Sequence, residues 1–192
     1  ALLQIGLSIG LSLVSSLLAP KAPKPEDVQG NIRQSIPPRV RLYGRGLLGG
    51  SWAFGATKAG SFHKVLAVHS GKLSAINAHW VDDRIVVPDP VTGLVAAAPF
   101  SNRLRIEHRM GLATETYYDT LEDDFPEWTP SHRGDGVASL YAKQFAMDPE
   151  DVPKVFPNLY NTLYRVDVNG VEVWDPTDEA QDIDDPETWT WS

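Results

Sequence analysis

The chain opens on Ala1 to Pro20, ALLQIGLSIGLSLVSSLLAP, and no charge appears before Lys21. Its apolar positions predict a helix that is hydrophobic nearly all round, and such a helix has to be buried somewhere. Gly6 and Gly10 stand four apart, and Ser8, Ser12 and Ser16 keep the same spacing. Small residues at that interval share a helix side and admit a close neighbour. Pro20, Pro23 and Pro25 end the helix and begin a stiff Pro/Lys connector over residues 21–38.

From Arg39 the pattern shortens to strand-length runs between turns, predicting a β-rich body over residues 39–175. Phe62 to His69 is β-prone, Ser70-Gly71-Lys72 turns, and Leu73 to Trp80 is expected to return as the second arm of a hairpin. Val81-Asp82-Asp83-Arg84 makes another turn before Ile85-Val86-Val87, which Pro88 and Pro90 stop. Further strands are expected at Leu104–His108 and Thr114–Tyr118. Gly44, Gly46, Gly49 and Gly50 read as a strand bend. Asn169-Gly170, flanked by alternating apolar residues, predicts a hairpin of Tyr164–Val168 with Val171–Trp174, because both turn positions favour positive φ. Residues 122–136 form a polar loop or insertion, and Asp148 to Val155 gives a helical turn or two. An acidic segment over residues 176–192 is expected to lead to further domains or the C-terminus. The fold class is mainly β with some α (α+β), a barrel-like or sandwich-like body preceded by the apolar helix.

Three placements compete for residues 1–20. A membrane span needs about 20 mainly apolar residues, and this run barely reaches that length while carrying Gln4 and several serines. A secretory signal wants a basic start, which is missing. Packing against other protein suits the Gly/Ser spacing best, with Leu2, Ile5, Gly6, Ile9, Gly10, Leu13 and Leu17 as the contact residues.

Composition narrows the chemistry. The 192 residues contain no cysteine, which excludes disulfides, thiolate metal sites and a cysteine nucleophile. The net charge of −8 is uneven: residues 1–120 hold 13 Lys/Arg against 8 Asp/Glu, and residues 121–192 hold 4 against 17. Such polarity suits two surfaces that meet partners of opposite sign, or two differently solvated ones. No basic run with interleaved aromatics points to nucleic acid. His63 and His69, both odd-numbered in one strand, are expected on one face about 20 Å apart, too far for a shared metal. The acids Asp175, Asp178, Glu179, Asp182, Asp184, Asp185 and Glu187 lack the glycine and spacing of a calcium loop. Nucleophile elbows, phosphate loops and dinucleotide fingerprints are absent. No catalytic residue, metal or cofactor is expected.

Several segments resemble the N-terminal region of bacteriophage tail-tip or baseplate-hub proteins, the host-specificity tail proteins of lambda-like phages. The apolar stretch leads through Ala19-Pro20-Lys21 into Ile36-Pro37-Pro38-Arg39-Val40-Arg41-Leu42-Tyr43-Gly44-Arg45, similar to the family's run of proline, basic residue and Tyr-Gly. Leu66 to Gly71, Ala75-Ile76 and Trp80-Val81-Asp82-Asp83 resemble its strand, glycine turn, strand and Asp-rich turn. Trp128-Thr129-Pro130 with Gly134 and Gly136, then Val168 to Pro176, match the later motifs. The resemblance implies a virion structural protein of the tail tip, assembled in the host cytoplasm. It implies a hub ring, typically a homotrimer, that closes the tail tube. The implied partners are other copies of the chain, the tape-measure protein, the distal tail protein and other tail-tip proteins, with membrane contact only at infection. The alternative is a membrane-tethered β-domain of the cell envelope anchored by residues 1–20. A wall-cutting enzyme using Asp123 or Glu127 is a third.

Overall fold

The computed structural model describes residues 39–189, and the expected N-terminal helix and connector lie outside that range. The strands are β1 (Arg45–Gly49), β2 (Ser51–Lys58), β3 (Ser61–Ser70), β4 (Ala75–Val81), β5 (Arg84–Val86), β6 (Leu104–Met110), β7 (Val137–Gln144) and β8 (Tyr164–Asn169). They form two antiparallel sheets, ordered β1-β8-β4-β5 and β2-β3-β7-β6. Period-two alternation explains how they meet. Tyr164, Val166 and Val168 of β8 point into a core shared with Leu66, Val68, Leu104, Ile106, Ala138 and Leu140 of the other sheet. The body is therefore a sandwich, with no closed barrel among the described residues.

A further layer covers the second sheet from outside. Val65 and Tyr141 pack against Tyr118, Leu121 and Phe125, with Phe54 and Trp128 at the margin. Residues 122–136 run mainly through turns and a short 3-10 segment, and Phe125 and Trp128 add an apolar contact within that polar stretch. Its start is a helical turn (Asp119–Glu122) followed by aromatic anchors that lie on the sheet. Because both faces of the sheet are covered, β3 is buried along nearly its whole length.

Two expected hairpins do not form, and strand edges explain both. Between β3 and β4 the chain leaves one sheet for the other, since β2 and β7 flank β3 while β5 and β8 flank β4. After β8, residues 171–174 make no strand, because β1 and β4 already hold both edges of β8. Gly170 has no positive φ; instead its N–H donates to Gly44 O and the next N–H, of Val171, donates to Leu42 O. A Cβ at Gly170 would sit 2.2 Å from Leu42 O, so glycine is required there by close approach.

Thr114–Tyr118 is also not a strand. The Glu115 carboxylate accepts the N–H groups of Gly111, Leu112 and Thr116, and Arg109 donates to the carbonyls of Thr116 and Tyr117. Side chains thus satisfy backbone groups that a ladder would otherwise use. The Asp82-Asp83 turn joining β4 to β5, the strand at β6 and the helical turn Val152–Val155 all match the sequence reading. So does the bend at Gly50, where a Cβ would lie 2.6 Å from Leu66 Cβ as the chain passes from β1 to β2.

Candidate interaction surface

The contact residues read from the sequence, Leu2, Ile5, Gly6, Ile9, Gly10, Leu13 and Leu17, all lie outside the described residues. What the structure does show is that a small set of polar groups in the body turns inward.

Lys64 is the clearest case. It is 1% exposed, and its ammonium donates to Tyr160 O at 2.8 Å and Thr162 O at 3.0 Å. The same group lies 4.5 Å from the Trp52 ring centroid and 5.1 Å from that of Tyr164. Burial pushes its pKa down to about 8. The arrangement pins the loop before β8 onto β3 by two carbonyls and an aromatic enclosure.

The histidines separate into structural roles. His63 Nδ1 is 2.9 Å from the Tyr141 hydroxyl, and its Nε2 is 3.5 Å from Asp124, which is paired with Lys143. Burial, followed by the Lys143 charge, lowers His63 to about 4. The sequence placed His63 and His69 on one face, but a bulge at Val68 shifts the register between Ala67 and His69. His63 faces Phe125, whereas the ladder partner of His69 is Ala138 of the inter-sheet core. A pair the sequence did not reveal is His79 Nε2 with His108 Nδ1, 3.2 Å apart, joining β4 to β6 across the sandwich. No periodic signal could have found it, because the two strands belong to different sheets. Burial lowers His79 to about 4, and His108 is lowered by partial burial and by Arg109. Among the described residues, no group of three or more His, Asp or Glu is arranged to hold a metal. Asp123 and Glu127 are exposed on the outer layer.

The acidic segment is more ordered than its composition suggests. Asp175 accepts from Thr177 N, Asp178 from Ala180 N, Asp182 from Asp184 N and Asp185 from Glu187 N, a succession of Asx turns. Its carboxylates fold their own backbone.

Among the described residues, several apolar side chains that face solvent lie at the two outer edges of the first sheet, and others lie in loops away from them. Ile85, Val87 and Val91 are 60%, 81% and 90% exposed at and just beyond the β5 edge, while Tyr43 and Leu47 are exposed at the β1 edge. Exposed Arg39, Arg41 and Arg45 flank the β1 edge, whereas Asp83 and Asp89 flank β5 with Arg84 between them. Free strand edges with apolar side chains are templates for another chain. Here one edge is framed mainly by cations and the other by more anions than cations.

No family model matches the chain, and no curated protein matches it. Among solved structures, it is similar to a chain of the virion of a native gene transfer agent particle, with 15% identity and a TM-score of 0.48. The match covers 88% of this chain and 38% of that one, so this chain spans well under half the length of its structural neighbour.

Proposed function

We propose that the chain is a non-catalytic structural subunit of a phage or phage-derived tail tip. In this reading it forms a hub ring that closes the tail tube and joins the tape measure, distal tail ring and central fibre. The observation that supports it from the structure is the pair of free edges on the first sheet, apolar at both ends and framed by opposite charge. A surface of one kind on one flank and its complement on the other suits head-to-tail contact between copies, which closes into a ring when the rotation allows. The tail-hub motifs of the sequence supply the setting. The apolar residues Leu2, Ile5, Gly6, Ile9, Gly10, Leu13 and Leu17 would then gather around the ring axis or meet the tape measure.

The test is the location and stoichiometry of the chain in native particles. The proposal expects labelled chain at the tail end with ring density of three-fold symmetry, and loss of infectious particles when residues 2–18 are deleted. A monomer missing from particles, or a pool held in membranes after alkaline washing, would overturn it in favour of an envelope protein.

A further inference from the structure

Beside the β5 edge, between the two sheets, lies a cleft of about 410 Å³ walled by His79, Pro88, Pro90, Val91, Ile106 and His108 among others. Its walls are mixed in chemistry. His79 Nε2 and His108 Nδ1 face each other at 3.2 Å, and that contact uses one N–H and one lone pair. Two neutral imidazoles carry two of each, so one N–H and one lone pair remain whichever ring donates. A hydroxyl both donates and accepts, so it satisfies either. Asp89 also lines the cleft. Its Oδ1 accepts from Val91 N, Thr92 N and Thr92 Oγ1, while Oδ2 has no partner among the described residues and suits a cation. Pro88, Pro90 and Val91 give the rest an apolar lining, and Val91 is 90% exposed at the mouth. The cleft therefore calls for an apolar body that ends in a hydroxyl and is accompanied by a cation.

We infer that the occupant is the Arg41–Tyr43 pair of a second copy of this chain. Both side chains are exposed, Tyr43 by 58%, and the Arg41 guanidinium carbon lies 5.6 Å from the Tyr43 ring centroid. A phenol and a guanidinium are thus presented together, the side chains that most often anchor a protein contact. Their backbone is held in place, since Leu42 O accepts from Val171 N at 2.8 Å. Tyr43 supplies the ring for the proline-lined wall and the hydroxyl for the imidazoles, and Arg41 supplies the cation for Asp89. A copy cannot fill its own cleft. The pair precedes β1 and the cleft adjoins β5, at opposite edges of the first sheet, roughly 14 Å apart at three strand spacings. Docking is therefore head to tail and leaves one cleft and one pair open for further copies. The inference rests on the association of copies in the proposed ring and names the side chains that make the contact.

Complementation between two variants of the full chain tests it. Tyr43→Ala removes the anchor and leaves the cleft, whereas Val91→Arg sets a cation at the cleft mouth and leaves the anchor. Both positions are exposed, and circular dichroism checks that each variant folds. Sedimentation of either variant alone should show self-association at least roughly tenfold weaker than in the parent. An equimolar mixture should form heterodimers that grow no further, because only one intact pair and one intact cleft meet. Association of either variant at the parent's strength would overturn the inference in favour of another occupant for the cleft. A mixture that associates as weakly as its components would sink it too. The tail-tip reading is decided separately, by the location of the chain in particles. Chain at the tail end together with parent-like association of Tyr43→Ala removes this contact alone, and chain missing from particles with complementation intact removes only the tail-tip reading.

Discussion

Lys64 shows how far a single residue can depart from its composition class. Charged residues are seldom fully buried unless paired, and Lys64 is held by two carbonyls and by rings instead of a carboxylate. Lys64→Ala removes the donor and leaves both carbonyls in a dry site, so chemical denaturation should show a loss of roughly 2–4 kcal/mol. Histidines set the pH response. His63 and His79 are lowered to about 4 from an ordinary 6.5. Between those values the unfolded chain holds more protons than the folded one, so stability falls as pH falls. The contribution is whole above about pH 6.5 and is lost progressively toward pH 4. Melting temperature should therefore drop over that window, and His79→Gln should flatten the slope. Little of this is legible in the sequence: FHKVLAVH shows only a β-prone run, whereas Lys64 is enclosed by Trp52 and by Tyr160, Thr162 and Tyr164, and His63 by Phe125 of the outer layer, all of them outside the run.

At the scale of elements, the strand segments were legible and their pairing was not. Period-two alternation located β3, β6 and β8 and the two-residue turn between β4 and β5, because those signals are local. Asn169-Gly170 carried the strongest hairpin signal, yet its glycine serves a different constraint, the backbone of Leu42 coming from 128 positions upstream. Gly170→Ala should cost roughly 1–3 kcal/mol through that clash, seen as a lower denaturation midpoint. Co-substitution of Asn169 should not rescue it, as it would if turn conformation were the cause. The β5 edge makes the opposite kind of prediction. Ile85→Lys places a charge on an exposed position of an edge strand, so melting should stay within about 0.5 kcal/mol of the parent. Self-association, measured by sedimentation, should weaken. The contact residues within the first twenty positions rest on spacing alone, and the two sheet edges became visible only once the strands were ordered.

The whole molecule is a sandwich whose second sheet carries an added outer layer and whose first sheet ends in two open edges. Strand order also dictates when such a body can come into being. The first sheet is seeded by no neighbouring pair except β4 with β5; its other ladders all run through β8, which pairs β1 across more than a hundred residues and β4 across about ninety. Loop closure of that span comes late and slowly. During synthesis, β1 and the β4–β5 ribbon must wait on the ribosome for Tyr164–Asn169 to emerge before either finds its lasting partner. A nascent chain cut short of that point carries the strands of the first sheet without the one that joins them, so the emergence of β8 is the step that completes the sheet and sets out both of its outer edges.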